Sequence, residues 1–318
     1  MPQENSTLTA VPGLAVGHAE VPGGGSGCTV ILGPFRAVVE VRGLATGSRE
    51  LGVLDPTHLV SRQDAILLTG GSAFGLAAAE GVMAWLAERG RGFDTGVARV
   101  PLVPAGVIFD LAPGRARPGP EEGRAACDAA HEGPVSQGAR GAGAGARVGK
   151  LGGPDRAMQG GVGSAATSVA DWTVGALAVV NAAGDVTDRR GEILAGARGP
   201  GGEFLDSGRL ARGMAGGSGF PGEADPAVPA PGTNTTLAVV ATDAPMDRIG
   251  LARMARVAAT ALARRISPVH TPFDGDLIFA LSTSEEERAM DPGEALALGV
   301  AACDALEESI ERGVRRDP

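Results

Sequence analysis

The sequence predicts a layered α/β fold, sheets covered by helices, and three observations predict it. Short β-branched and apolar runs recur through the first two thirds of the chain, separated by glycine turns. Apolar residues fall at helical spacing within 70–90 and again within 251–262. Near the C-terminus an aspartate, a proline and a glutamate stand where a helix begins.

Taken in order, residues 28–32 and 37–42 read as neighbouring strands and 65–69 as a third. Leu76, Ala79, Met83 and Leu86 line one face of a helix within 70–90, which Gly90 stops. Residues 99–111 and 172–187 again read as strands. Between 195 and 232 no period is sustained and Gly and Pro crowd the chain; so long an irregular stretch is usually functional or mobile. The segment 232–245 has a buried strand at its centre. Leu251, Met254, Ala258 and Leu262 mark an amphipathic helix, and 274–283 is a further strand. In the last helix Asp291 caps, Pro292 takes the first position and Glu294 completes a capping-box pair. Leu296, Val300, Cys303 and Ile310 are its expected buried stripe. No internal repeat is evident.

Bulk properties narrow the function. A chain of 318 residues forms one large domain or two small ones. With 51 Gly and 22 Pro it is loop-rich, yet 43% hydrophobic content is that of a folded protein. A net charge of −9 argues against a nucleic-acid partner. The arginines at 253–265 and Arg315 and Arg316 read as solvated helix faces. The polar stretch after Met1 is not a signal peptide, and no apolar run approaches the roughly 18 residues that span a bilayer. Cys28, Cys127 and Cys303 are far apart and odd in number, which disfavours a disulfide framework and fits a reducing cytoplasm. His18, His58, His131 and His270 lack metal-ligand spacing, so no metal is expected. Of these, His270 precedes the 274–283 strand within reach of a site, although a packed or capping role is the commoner reading.

Two local patterns fail as motifs. Gly70-Gly71-Ser72-Ala73-Phe74 nearly matches a nucleophile elbow, but Phe74 stands where the last Gly belongs. It reads better as a helix N-terminus, whose free N–H groups serve either a structural turn or an anionic ligand. The run 141–150 lacks both the Walker pattern and the dinucleotide fingerprint. Its Lys150 is a lone cation after a tight glycine segment.

The chemistry points to Asn234 and Thr235. A Gly/Pro-rich arm runs into Asn-Thr-Thr and the chain then enters a buried strand. A threonine hydroxyl needs an adjacent base. If the bond before Thr235 breaks, its own α-amine becomes available, with a reference pKa of about 7.7–8.0. From the local pattern alone, a turn that closes a loop is the commoner reading of such a triplet.

Longer matches add a family resemblance. The segments NTTLAVVATDA (234–244) and PVHTPFDGDLIFAL (268–281) resemble the β-peptidyl aminopeptidases and nylon-oligomer hydrolases, self-processing N-terminal-nucleophile enzymes of the DmpA type. The likeness continues upstream through GLAVGH (13–18), SGCTVIL (26–32), GGSAFGLAAAEGVMAWL (70–86), VPAGVIFDL (103–111) and VNAAGDV (180–186), covering nearly the whole chain. It implies a single domain of four-layer αββα architecture, self-cleaved into an α chain of 1–234 and a β chain of 235–318. It makes Thr235 the nucleophile, Asn181 an oxyanion donor and Lys150 a neighbour that tunes the hydroxyl. It gives Asp274 and Asp276, alternating on one strand and so facing one way, a role in positioning the Thr235 amine and hydroxyl or a substrate ammonium. It further implies a small peptide or oligoamide substrate, no cofactor, and a homotetramer of α/β pairs.

Two departures stand out. Phe109 replaces a tyrosine that several members carry, and this chain has no tyrosine. The nucleophile and its acidic pair are Thr and Asp/Asp, nearer to the nylon-oligomer hydrolases than to members with Ser and Ser/Glu. An acyltransferase of the same fold and an uncleaved scaffold are the competing readings.

Overall fold

The computed structural model describes residues 5–214 and 234–315. Eight strands carry the architecture: β1 (Ala15–Glu20), β2 (Gly27–Val41), β3 (Arg62–Thr69), β4 (Ala105–Val107), β5 (Gly161–Val169), β6 (Trp172–Asn181), β7 (Thr235–Thr242) and β8 (Leu277–Ser282). They form one sheet in the order β5-β6-β7-β8-β2-β3-β4, with Ser48–Arg49 beyond β4 and β1 alongside β2. The covering helices are α1 (Ala78–Glu88), α2 (Pro120–Asp128), α3 (Arg248–Ala258), α4 (Thr260–Arg265) and α5 (Pro292–Arg312).

The long strand β2 explains how one sheet makes two inner layers. Its first half pairs with β1 and β3, its second half with β8, and a register shift between Leu32 and Phe35 bends it. The sheet thereby folds back on itself, and the two-residue period of each strand sorts its side chains. In β3, Ile66 and Leu68 enter the central core, while Ala65 and Leu67 face α1 and α2. In β6, β7 and β8, Leu177, Val179, Leu237, Val239, Leu277 and Phe279 enter that same core. Their alternates Ala176, Ala178, Ala238, Val240, Ile278 and Ala280 pack on α3, α4 and α5. Gly106 of β4 closes the sandwich: a Cβ there would stand 2.9 Å from Leu277 and 3.0 Å from Leu237, so the two leaves touch. The layers run helix, leaf, leaf, helix.

Several sequence expectations are corrected. The runs 28–32 and 37–42 are one bent strand, because the chain bulges instead of turning. Within 99–111 only Arg99–Val100 and Ala105–Val107 are strands; Pro101 and Pro104 interrupt the run because they offer no N–H. The 172–187 run breaks after Asn181, and Asp185–Thr187 joins a separate sheet with Ile193–Ala195 and Ile266–Ser267. The helix from 251 to 262 is two helices, α3 and α4; between them the Thr260 hydroxyl donates to the Val257 carbonyl at 2.7 Å.

In α5 the cap is as expected, Asp291 and Glu294 closing the box. The stripe is only partly so: Cys303 and Ile310 are buried as expected, but Leu296 is 66% and Val300 47% exposed, and Leu298, Ala302, Ala305 and Leu306 complete the buried face. Ala302 and Ala305 belong to that face, and their weak apolar signal partly hides it. Of the irregular stretch 195–232, residues 215–232 lie outside the described residues, as does Arg316.

An enclosed ion network ties the C-terminal helices together. Arg265 of α4 pairs with Glu307 and with Glu311 of α5, the latter at 3.2 Å, and Arg264 reaches Glu307 at 2.9 Å. Breaking a buried pair leaves its partner charge uncompensated. Glu307→Ala should therefore lower unfolding stability by about 3–5 kcal/mol, read as a lowered denaturant midpoint with an unchanged slope.

Candidate active site

Thr235 opens β7, a central strand with a neighbour on each side. Antiparallel β6 places Asn181 opposite Thr235, and on the other side Asn234 bridges to Asp274 just ahead of parallel β8. Both Asn234 and Thr235 are buried. The Thr235 hydroxyl donates to the Asn234 carbonyl at 2.5 Å, and the Gly275 N–H donates to the same oxygen at 2.9 Å.

Glycine is required at 275. A Cβ there would lie 2.8 Å from the Thr235 hydroxyl and 2.9 Å from the Ala45 carbonyl. Gly43 is as constrained on the far side of this loop, where a Cβ would meet the Asp276 nitrogen at 2.3 Å. The N–H groups of Arg42, Gly43 and Ala45 donate to the Asp276 and Asp274 carbonyls, which hold the Asp-Gly-Asp backbone in place.

Asp274 and Asp276 precede β8, which starts at Leu277, so the expectation that they alternate within a strand is corrected. Both are buried. Asp276 accepts the Thr236 N–H at 2.7 Å through one oxygen and meets His270 Nδ1 at 2.8 Å through the other. Asp274 accepts the Thr271 N–H at 2.8 Å and the Thr271 hydroxyl at 2.7 Å. Burial, then the Asp276 charge, raises the Asp274 carboxyl above its ordinary range.

Lys150 reaches the same cluster from the other side. Hydrogen bonds from the Gly149 and Leu151 N–H groups to the Gly184 and Ala183 carbonyls stitch its turn to the end of β6. Its amine donates to the Asn181 carbonyl at 2.9 Å. Enclosure of that amine pushes Lys150 down to about 7, against the opposing pull of Asp274 and Asp110. The Asn181 carboxamide is oriented by its partners: its oxygen accepts the Arg147 N–H at 3.0 Å and its nitrogen donates to the Phe109 carbonyl at 3.3 Å. Phe109 thus meets the site through its backbone, and an amide nitrogen carries a second hydrogen to donate.

The five expected residues Thr235, Lys150, Asn181, Asp274 and Asp276 converge here, with Asn234 beside Thr235. Two groups escaped the sequence reading. The Gly275 N–H has no side-chain signal. Asp110 is buried, its carboxyl raised by burial, and it accepts the Gly71 N–H at 2.7 Å. That bond gives the helix N-terminus at 70–74 an internal carboxylate partner. His270, weighed as a site candidate, sits at a φ of 54°, an uncommon backbone for a side-chain-bearing residue. The Gly-rich turn before Lys150 is committed to the fold, with the Gly141 and Ala142 N–H groups donating to Glu20 and Thr29. Among the described residues, no group of three His, Cys, Asp or Glu could hold a metal ion, and no helix is long and apolar enough to cross a membrane.

Chemically, a hydroxyl rests on a carbonyl whose oxygen already receives an N–H, beside an amine that is largely neutral above about 7. Such an arrangement suits attack of Thr235 on Asn234.

Comparisons with known proteins identify the relatives of this chain. The sequence profile of Peptidase family S58 matches residues 6–316. An uncharacterized aminopeptidase of Mycobacterium leprae is 39% identical over 335 residues, spanning 96% of this chain and 89% of that protein. A 6-aminohexanoate-oligomer endohydrolase of Kocuria sp. is 33% identical over 319 residues, 94% of this chain and 83% of that one. Among solved structures, a Burkholderia sp. beta-aminopeptidase superposes with a TM-score of 0.67 at 22% identity, covering 98% of this chain and 87% of its own. The L-aminopeptidase D-Ala-esterase/amidase of Ochrobactrum anthropi, described as a variant of the Ntn hydrolase fold, gives 0.68 at 19%, covering 97% and 85%.

The Lys150 environment has a measurable consequence. Its folded pKa, about 7, lies below the ordinary 10.5, so between these values the unfolded chain binds the extra proton. Lys150 therefore makes stability rise as pH goes from about 7 toward 10.5. Lys150→Met should flatten that rise relative to the parent in denaturation curves across this window. An unchanged slope would mean that the amine is not enclosed.

Proposed function

The chain belongs to peptidase family S58 and is a hydrolase of amide bonds, and from that premise we propose that it cleaves itself between Asn234 and Thr235 and then works through the exposed Thr235. The contact that carries this reading is the Thr235 hydroxyl against the Asn234 carbonyl, with the Gly275 N–H on the same oxygen.

In maturation the hydroxyl attacks that carbonyl, the Gly275 N–H takes up the developing charge, and an N-to-O acyl shift leaves an ester on Thr235. One such donor is worth about 2.7–4 kcal/mol of barrier. No α-amine exists before the cut, and Lys150, with its pKa near 7, supplies the base. Its amine sits on the carbonyl of Asn181, the cross-strand partner of Thr235.

In turnover the Thr235 α-amine serves as base, with a reference pKa of about 7.7–8.0. The second Asn181 N–H holds the oxyanion, and an acyl-enzyme on Thr235 is hydrolysed. Asp276 fixes the nucleophile's strand through the Thr236 N–H, and Asp274 moderates the charge beside Lys150. The substrate class is a short peptide or linear oligoamide. Support comes from the aminopeptidase and the 6-aminohexanoate-oligomer endohydrolase among the relatives.

Intact mass measurement of the denatured protein tests the first step. Two polypeptides, 1–234 and 235–318, are expected, and Thr235→Ala should give one uncleaved chain whose amide hydrolysis falls by about 10⁴-fold or more. A persistent full-length mass in the parent, or an active Thr235→Ala, overturns the reading.

A further inference from the structure

The Asn234 side chain is fully enclosed, and among the described residues neither its amide nitrogen nor its amide oxygen has a hydrogen-bond partner. Native proteins leave few buried polar groups unpaired, and each asks for an explanation. Here the unpaired carboxamide belongs to the residue that supplies the scissile carbonyl. That carbonyl is well served, by the Thr235 hydroxyl at 2.5 Å and the Gly275 N–H at 2.9 Å. The site thus activates the Asn234 carbonyl and leaves the Asn234 amide nitrogen uncommitted.

A side-chain nitrogen of asparagine closes a five-membered ring when it attacks its own main-chain carbonyl. We propose that Asn234 itself completes the self-cleavage, releasing the N-terminal segment as a C-terminal aminosuccinimide without consuming water. The step rests on the proposed acyl shift to Thr235. In it a bond forms between Asn234 Nδ2 and the Asn234 carbonyl carbon, and the ester bond from that carbon to Thr235 Oγ breaks. Nδ2 gives up one proton, and Thr235 Oγ leaves with one. The α-amine freed in the acyl shift is untouched, and nothing is oxidised or reduced.

Proximity favours this nucleophile over solvent. Asn234 is 0% and Thr235 3% exposed, whereas the attacking nitrogen is tethered to the reacting residue. No acceptor among the described residues must release the nitrogen before it reacts. A substrate without an asparagine at its acyl end has no such internal nucleophile, so later turnovers use water and the device acts once per chain.

The test is intact mass analysis of the full chain made by cell-free translation and quenched in acid as fragments first appear, before the ring can open. Two fragment masses that sum to the precursor mass establish cyclisation. Fragments that together outweigh the precursor by one water overturn it while leaving self-cleavage standing. A chain that never divides overturns both. Asn234→Ala, which removes an unpaired buried amide, cannot form the ring. It should release its fragments at least about tenfold more slowly, with a full-length ester accumulating that hydroxylamine splits. Release at the parent rate overturns the proposal.

Discussion

The structure depends on the register of one strand. β7 runs antiparallel to β6 and parallel to β8, and that pairing sets Thr235 against Asn181 and Asn234 against Asp274. A shift by one residue would turn every β7 side chain to the opposite layer. The apolar alternation forbids it: Leu237, Val239 and Ala241 fill the central core, while Ala238 and Val240 sit under α3 and α5. The hydrophobic pattern of a strand far too apolar to react thus fixes the position of the hydroxyl at its tip.

Electrostatics around that tip are governed by burial more than by pairing. Lys150 has carboxylates near it, yet enclosure outweighs their attraction and lowers its pKa. Asp274 is raised for the same reason, with Asp276 adding to the effect. Lys150, which in water would be fully ionised, is here poised to exchange a proton, a common property of reactive centres. The hydrogen bonds from Thr236, Thr271 and His270 keep the two carboxylates apart in role as well as in space.

Much of this was legible in the sequence, and the failures have physical causes. Long matched segments drew attention to Thr235, Asn181 and both aspartates, the family resemblance added Lys150, and the structure brings these five together; capping chemistry at Asp291 located the last helix. Strand limits failed where proline, a bulge or a glycine turn acted through the backbone, as at Pro101, Leu32 and Gly184. Part of the buried face of α5 was missed because Ala302 and Ala305 contribute little to an apolar pattern although they pack well there. The Gly275 N–H and the Asp110 carboxylate were invisible for another reason: their roles arise from partners distant in sequence, Asn234 and Gly71.

The strand order also bears on what a break after Asn234 can do to the assembly. β7 and β8, the strands that follow this point, lie between β6 and β2, which precede it. The two segments are interleaved like the fingers of clasped hands, each supplying hydrogen-bond edges that the other has no means to replace. A break after Asn234 would leave the two segments joined through the hydrogen bonds of β7 with β6 and of β8 with β2. Pieces made separately would each expose long unpaired strand edges, the surface most prone to aggregate.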